Sequence, residues 1–389
     1  MEKHDFIIIS TADWDSLIQT NKQYVSKELA KLNHRILYIE SLGIRKLKIN
    51  KSDISRVYKR LINNIFFIKR KSKNIWVLSP LLFPGATNKK IIFINRILFN
   101  INLFISMKLL NFKNDYLWTY NPLTLLYLNV KRFKTSIYHA VDAIEHQPFM
   151  PKELIKIQEI KLSKNVDKIF VTSKNIMKKL QIYNANISYF GNVCDFEHFS
   201  KSLSIDIDEI PHDIKRIKKP IVGFIGSISE YKINLKLIYE IANNLKNINF
   251  VFIGPIDETI NRKKLNQLKT LKNIYFLGYR EYKDLPYYCS YFDIGWLPLM
   301  HNSYTKSMFP IKFFEYLASG LPVVSTEIDS LKEFKQFTEM HDDIKNLSNS
   351  IIESLIDKEY NLKERLNLAR KNTYQSRTIK MLKELNLKN

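Results

Sequence analysis

Residues 310–325 read PIKFFEYLASGLPVVS, and this stretch decides the fold. Proline is tolerated where a helix begins, because its missing N–H would have no partner there, so we predict a helix that starts at Pro310. Gly320 predicts the end of that helix, since glycine readily takes the left-handed conformation of a C-terminal cap. The apolar residues that follow are typical of a buried strand. The stretch therefore predicts one helix–strand unit of a parallel α/β sheet.

Two charged residues lie on one face of this predicted helix. Lys312 and Glu315 are three positions apart and close to its start. The amide groups and positive dipole of a helix N-terminus favour an anion, and a lysine adds a charged donor for phosphate. A carboxylate three residues later can accept hydrogen bonds from a vicinal diol such as a ribose. The alternative is an amphipathic helix with a surface Lys–Glu pair.

Outward from this stretch, short apolar runs alternate with helical periods along the chain, which is typical of α/β folds. The predicted strands are 6–10, 35–39, 75–78, 116–120, 136–141, 168–171, 187–190, 221–225, 249–253, 274–277, 292–296 and 322–325. The predicted helices are 16–32, 89–111, 122–130, 150–163, 174–181, 233–246, 258–268, 282–290, 311–318, 341–356 and 361–386. We expect an N-terminal domain at 1–200, a linker at 201–218, a second domain at 219–360 and a C-terminal helix at 361–389.

Glycines mark the strand exits of the second half. Gly226, Gly254 and Gly278 each follow an apolar strand. At the carboxyl ends of parallel strands, glycine lets the backbone bend and approach a ligand closely. We expect this edge to face a nucleotide, and ordinary strand-to-loop turning is the alternative.

Charge is placed unevenly along the 389 residues, whose formal net charge is +23. Residues 44–113 contain 16 lysines and arginines and one acid, Asp53, a net charge of +15. Such a segment favours a polyanion, namely anionic lipid, nucleic acid or a phosphorylated acceptor. A generally lysine-rich composition is the alternative. The two cysteines and the short apolar run near the N-terminus, typical of a buried strand, favour a cytoplasmic protein.

The apolar segment 89–111 has two interpretations. Polar residues interrupt it at Asn95, Arg96, Asn100, Asn102 and Lys108, too often for a membrane-spanning helix. It fits a helix that lies in a membrane interface, or a core helix packed on the first sheet. Together with its basic surroundings, it predicts peripheral contact of residues 44–113 with an anionic membrane surface.

Residues 310–325 resemble the signature of the family-four glycosyltransferases, also called glycosyl transferases group 1, and the rest of the chain supports this. It is most similar to the branch that makes bacterial cell-surface polysaccharides, including teichuronic-acid-type enzymes. The supporting residues, in order, are Trp14-Asp15 with Gln19, Trp118 with Tyr120-Asn121-Pro122, Tyr138-His139 with Asp142, Phe170 with Ser173, Gly191-Asn192 with Asp195, Gly223 with Gly226-Ser227, Gly254-Pro255, Gly278, and Asp293 with Gly295 and Pro298.

This resemblance implies the GT-B fold, with two Rossmann-like domains whose parallel sheets face a central cleft. It also implies that the C-terminal helix at 361–389 packs back on the first domain. It implies a nucleotide-sugar donor, with a UDP-sugar favoured, and no obligatory metal. Glu315 would hold the donor ribose, and Lys312 would meet the diphosphate. Ser227 and Lys232 would also lie near the phosphates. The base would lie beside Gly278, Tyr279 and Arg280.

The resemblance also suggests two residues for the acceptor side, His139 and Asp142. If the enzyme inverts, Asp142 could take the proton of the acceptor hydroxyl. A helix N-cap before Glu145 is the alternative role for Asp142. His139 could contact the transferred sugar or its phosphate, and a satisfied histidine at a strand end is the alternative.

Two details bear on the mechanism. Many retaining members of the family carry a second glutamate eight positions before Glu315, where this chain has Ser307. Two alternatives stay open: the transfer is retaining through another arrangement, or the stereochemistry of the family does not carry over to this chain. Asp206 and Asp208 form a DxD string, a metal motif of the other glycosyltransferase fold, but they lie in the predicted linker rather than at a strand end.

We therefore expect a glycosyltransferase that moves a sugar from a nucleotide diphosphate to a cell-surface polysaccharide or a lipid-linked acceptor. Two alternatives stay open. One is a nucleotide-sugar epimerase on the same fold. The other is a non-catalytic basic protein that binds a membrane or nucleic acid, although no nucleic-acid motif occurs in the sequence.

Overall fold

The computed structural model describes residues 2–16, 19–42, 68–83, 88–258 and 260–387. The chain forms two compact units, one of residues 1–191 with 378–389 and one of residues 192–377. The predicted linker differs from this division, because residues 192–218 belong to the second unit. Apolar side chains of that segment, among them Phe199, Ile210 and Ile214, are buried in the core of the second unit.

The first unit is built on an eight-stranded sheet in the order β3-β4-β2-β1-β5-β6-β7-β8. Its strands are β1 Asp5–Ile9, β2 Arg35–Ile39, β3 Ile68–Ser72, β4 Ile75–Leu78, β5 Tyr116–Thr119, β6 Thr135–Ala140, β7 Lys168–Val171 and β8 Ile187–Tyr189. All neighbouring pairs are parallel except β3 and β4, which form an antiparallel hairpin. Every predicted strand of this half is present, and β3 is additional.

The second unit has a six-stranded sheet in the order β11-β10-β9-β12-β13-β14, with every pair parallel. Its strands are β9 Ile221–Ile225, β10 Asn249–Ile253, β11 Ile274–Gly278, β12 Ile294–Leu297, β13 Val323–Ser325 and β14 Thr338–Met340. Counted within the unit, this is the 3-2-1-4-5-6 order of a Rossmann sheet. In such sheets the strand order reverses beside the first strand, here between β9 and β12, and ligands bind at the carboxyl edge of that point.

Helices connect these strands. They are α1 Asn21–Lys31, α2 Lys89–Leu109, α3 Thr124–Tyr127, α4 Lys152–Asn165, α5 Lys174–Leu180, α6 Phe196–Phe199, α7 His212–Lys215, α8 Leu235–Asn244, α9 Arg262–Lys269, α10 Leu285–Cys289, α11 Ile311–Ala318, α12 Ile344–Ile356, α13 Leu362–Lys371 and α14 Tyr374–Glu384. Short 3-10 turns complete several connections.

The predicted C-terminal helix is two helices, α13 and α14. The helical conformation is interrupted at Asn372 and Thr373. Thr373 forms a parallel β-bridge with Cys194, and the Cys194 amide donates to the Asn372 carbonyl at 3.1 Å. The end of α14 belongs to the first unit, where Lys168 Nζ lies 2.8 Å from Glu384 Oε2. Met381 and Leu382 are fully buried in the same unit.

Candidate functional site

Two loops meet at the carboxyl edge of the second sheet, where its strand order reverses. The loop after β9 and the loop after β12 pair with each other, as the Asn234 amide donates to the Pro298 carbonyl at 2.8 Å and the Met300 amide to the Lys232 carbonyl at 2.8 Å. The pairing fixes the backbone on both sides of the topological switch point. It also places Lys232 and the segment that leads into α11 on the same edge.

Helix α11 is held at this edge by its buried side chain Tyr316. Its Tyr316 side chain is fully buried, and the phenol oxygen accepts a hydrogen bond from the Ile225 amide at 2.8 Å, where β9 ends. A Cβ on Gly295 would lie 2.4 Å from the Tyr316 ring, so only glycine on β12 allows the helix to pack this close. Pro310 is the N-cap, and Gly320 has φ +76° after the last turn. Both ends agree with the sequence prediction.

Lys312 and Glu315 form an ion pair on the first turns of α11. Glu315 is only 4% exposed, so the alternative of a surface Lys–Glu pair is wrong. Lys312 Nζ also lies 5.4 Å from the centroid of the Phe199 ring. A buried carboxylate beside a half-buried ammonium presents an acceptor and a charged donor together. A ribose diol and a phosphate require these two kinds of partner.

Lys232 adds a second cation to this edge. Its ammonium lies 5.3 Å from the centroid of the Tyr231 ring and 5.9 Å from that of Tyr304, within the range of cation–π contact. It forms no ion pair with any residue that the structure describes. Ser227 is half-buried directly after Gly226, on the same loop. A lysine without a carboxylate partner is available for an anionic ligand.

Glycine is required for different reasons after β10 and at the end of β11. A Cβ on Gly254 would lie 2.0 Å from the Gly226 carbonyl oxygen, so these loops touch and a side chain is excluded. Gly278 has φ +78°, and a Cβ built on it would have no atom within 4 Å. Only backbone conformation therefore requires glycine at 278, and the space beside it is open.

Arg280 has a structural role that the sequence did not predict. Its guanidinium contacts the carboxylate of Asp213 on α7, the Tyr288 hydroxyl at 2.5 Å and the Tyr279 carbonyl at 2.8 Å. Much of its donor capacity is thus used within the protein. Contact of Tyr279 and Arg280 with a base stays a prediction.

In the first unit, His139 lies inside the core near the end of β6. It is fully buried, its Nδ1 lies 3.3 Å from Trp118 Nε1, and its ring centroid is 4.9 Å from that of Tyr120. Phe170 contacts the ring edge to face. The contact with Trp118 accounts for Nδ1 only. Contact with a substrate and the alternative of a satisfied histidine both stay predictions.

Asp142 lies in the loop after β6, next to Val141, and is half-buried. The 3-10 turn that follows, Ile144–His146, has Ala143 at its N-cap position. A capping role for Asp142, one residue earlier, stays the alternative to its role as a base. Glu145 of this turn is 4% exposed and ion-pairs with Lys179. The turn is thereby anchored, which holds Asp142 at the carboxyl edge of the sheet.

Lys22 is a residue of this edge that sequence reasoning missed. It lies on the first turn of α1, is 7% exposed, and has its ammonium 5.9 Å from the centroid of the Tyr120 ring. It forms no hydrogen bond or ion pair through its side chain with the described part of the chain. Burial lowers the pKa of Lys22, and the charge of Asp142 opposes that effect. Nothing in the sequence distinguishes it from other lysines before its burial is known.

The DxD string is used within the protein. Asp206 caps the 3-10 turn Ile207–Glu209 through a capping box with Glu209. Asp208 is exposed and lies 3.3 Å from Lys215. Among the described residues, no group of three or more His, Cys, Asp or Glu side chains is arranged to hold a metal ion.

Comparison with known families and proteins agrees with this geometry. Residues 219–357 match the family described as glycosyl transferases group 1. A curated relative, the putative teichuronic acid biosynthesis glycosyltransferase TuaH of Bacillus subtilis, is 30% identical over 189 residues, 48% of this chain and 46% of that protein. The chain thus matches about half the length of this relative.

Solved structures match over the whole chain. Sucrose-phosphate synthase from Thermosynechococcus elongatus superposes with a TM-score of 0.69 at 14% identity, covering 99% of this chain and 98% of that one. A glycosyltransferase from Rickettsia africae gives 0.68 at 14%, with coverages of 100% and 99%. HepE of Anabaena, in complex with UDP and glucose, gives 0.67 at 12%, with coverages of 98% and 99%. At these identities the likeness establishes the fold, which is GT-B.

Proposed function

We propose that this protein transfers a sugar from a nucleotide diphosphate to an acceptor, because residues 219–357 match the family described as glycosyl transferases group 1. In this proposal the second unit binds the donor. The first unit binds the acceptor at the edge that contains Lys22 and Asp142.

One observation carries the proposal, namely the Lys312–Glu315 pair at the switch point of a Rossmann sheet. Glu315 is buried and fixed by its helix, and Lys312 lies on the positive end of that helix. Lys232 faces the same edge without a carboxylate partner among the described residues. Two lysines and a helix N-terminus can neutralise a leaving diphosphate without a metal ion.

We propose UDP as the nucleotide of the donor and a cell-surface polysaccharide or lipid-linked glycan as the acceptor. Two comparisons support these choices. HepE, of the same fold, is in complex with UDP and glucose, and the curated relative is named for teichuronic acid biosynthesis. A cytoplasmic protein held at the inner face of the plasma membrane fits such an acceptor. Residues 44–67 and 84–87 of the basic segment proposed for this contact lie outside the described residues.

The proposed chemistry relies on positioning and charge. Lys312 and Lys232 stabilise the negative charge that develops on the diphosphate as the glycosidic bond breaks. If transfer inverts the anomeric centre, Asp142 accepts the proton of the attacking hydroxyl. Ser307 supplies no carboxylate where many retaining relatives have one. A retaining transfer would therefore rest on phosphate stabilisation and on the alignment of the two substrates.

Release of UDP from UDP-sugars tests this proposal. The purified protein is incubated with UDP-glucose, UDP-N-acetylglucosamine or UDP-glucuronate and a bacterial lipid extract, and free UDP and glycolipid are quantified. We expect one donor to give lipid-dependent UDP release that Lys312→Met reduces at least about tenfold. Donor isomerisation without lipid would indicate the epimerase instead. Absence of both reactions with all donors, while anions still bind, would favour the non-catalytic alternative.

A further inference from the structure

Helix α2 of the first unit exposes an apolar face to solvent. The side chains on this face are Phe93 (65% exposed), Ile94 (45%), Ile97 (47%), Ile101 (49%), Phe104 (60%) and Ile105 (40%). Their spacing of three and four residues places them on one side of the helix, in an arc of about 120°. Isolated exposed apolar residues are common, but a contiguous row of this size marks an interaction surface.

The opposite side of α2 is fixed to the protein. Phe99 and Leu103 are buried in the core, and Asn95 is 2% exposed. The Asn95 amide donates to the Phe83 carbonyl at 2.7 Å, and its oxygen accepts from the Phe83 amide at 2.8 Å. Asn100 Nδ2 donates to the Tyr127 carbonyl at 2.7 Å. Rotation of the helix about its axis would break these hydrogen bonds. They therefore keep the apolar row facing solvent.

The charges of α2 are of one sign. The helix contains Lys89, Lys90, Arg96 and Lys108 and no acidic residue, and all four cations are exposed. Lys90 and Lys108 are 18 residues apart, five turns of 3.6 residues, so they lie at the two ends of the apolar row. Lysines in such positions extend their ammonium groups toward anions while their stems lie on apolar surface.

We propose that the apolar row of α2 inserts into the interface of an anionic lipid bilayer. The phenylalanine and isoleucine side chains enter the boundary between headgroups and acyl chains, and Lys90 and Lys108 meet lipid phosphates. This assignment concerns a surface of the first unit and holds whether or not the proposed sugar transfer is correct.

The helix lies in the plane of the membrane in this arrangement. By length and composition alone its 21 residues suffice to cross a bilayer. A spanning orientation would separate Phe99 and Leu103 from their core and take Asn95 and Arg96 into hydrocarbon, at a high energetic cost. An interfacial orientation keeps the packed side on the protein and uses only the outward face.

A second copy of the chain fits this face less well than lipid. A two-fold symmetric contact with the α2 helices antiparallel would bring Lys90 of each copy toward Lys108 of the other. Like charges placed together oppose association, and the helix has no carboxylate to offset them. An anionic surface complements both the apolar row and its cationic ends.

Co-sedimentation with vesicles tests the proposal. The full-length protein is mixed with vesicles of equimolar phosphatidylglycerol and phosphatidylcholine, or of phosphatidylcholine alone. The test variant is Phe93→Ser/Phe104→Ser. The matched control is Ile182→Ser/Ile356→Ser, which removes apolar side chains that are 76% and 81% exposed elsewhere on the protein. Circular dichroism and thermal melting confirm that both variants are folded.

We expect the wild type and the control to bind the anionic vesicles, with affinity that falls as salt rises. The Phe93/Phe104 variant should bind about one to two orders of magnitude more weakly. Equal binding of all three proteins would overturn the assignment, and so would absence of binding by the wild type. If sedimentation velocity instead shows a dimer that only the Phe93/Phe104 variant loses, the face is a self-association surface and the lipid proposal is wrong.

Discussion

Substitution of Glu315 by glutamine should weaken nucleoside binding through the ribose alone. Glu315 is 4% exposed and lies on α11, where one carboxylate oxygen pairs with Lys312. The remaining lone pairs of the carboxylate can accept hydrogen bonds from a vicinal diol. A hydrogen bond to a charged group contributes about 1.5–3 kcal/mol. Glutamine keeps one neutral acceptor, so we expect a loss of about 2 kcal/mol, an increase in Kd of about 30-fold.

The binding roles of Lys312 and Glu315 can be distinguished by the choice of ligand. Isothermal titration calorimetry with uridine, UMP and UDP reports ribose binding alone and then with one or two phosphates. Glu315→Gln should weaken all three ligands by a similar factor, because all contain the ribose. Lys312→Met should weaken UDP about tenfold more than uridine, because its ammonium meets phosphate and acts on the ribose only through its ion pair with Glu315.

An exposed glutamate of the same unit provides the control. Glu353→Gln changes an exposed glutamate on α12 of the same unit and should leave all three affinities unchanged. The reasoning is refuted if Glu315→Gln binds UDP as the wild type does. It is also refuted if that variant loses UDP affinity while uridine affinity is retained, since the carboxylate would then act on the phosphates.

Other predictions follow from buried charges and thiols. Lys22→Met should raise the melting temperature, since a buried ammonium without an acceptor is costly. The same variant should transfer sugar about tenfold more slowly without a change in UDP affinity. A lower melting temperature would indicate a structural role for Lys22 instead. Burial, with the charges of His4 and the N-terminus, lowers the pKa of His34 from 6.5 to about 4. As the pH falls from 6.5 to 4, the unfolded chain therefore binds a proton at His34 that the folded chain does not. The free energy of unfolding, measured by urea titration, should fall by up to about 3 kcal/mol over this range. His34→Asn should lack this decrease. Burial raises the pKa of Cys289 to about 12 and also raises that of Cys194, so neither thiol should react with Ellman's reagent at pH 8 until guanidinium unfolds the protein; rapid labelling of the native protein would contradict this burial. Sugar transfer should persist in EDTA, and a loss that Mg²⁺ or Mn²⁺ restores would show a metal requirement.

The sequence predicts those parts of the fold that depend on local pattern. Helix α11 is found at its predicted bounds because the proline, the apolar period and the glycine cap all act within a few residues. Strand β3 was missed, because its sequence IKRKS has no apolar alternation. It forms through antiparallel pairing with β4, and only its first residue packs on the core.

Features that depend on distant contacts could not be predicted. The C-terminal helix divides at Thr373 because that residue pairs with Cys194, far away in sequence. Arg280 is held by Asp213, 67 residues earlier, in a segment that sequence composition indicated as a linker. For the site, residue types and spacing were sufficient for Lys312 and Glu315, whereas Lys22 requires knowledge of burial.

The most direct test of the donor site is calorimetric titration of the wild type and Glu315→Ala with UDP, GDP, CDP, ADP and TDP. The account predicts that UDP binds selectively, below millimolar concentration, and that the variant loses this binding. If none of the five nucleotides binds the wild type at millimolar concentration, the second unit is not a nucleotide-sugar site and the proposed function is wrong.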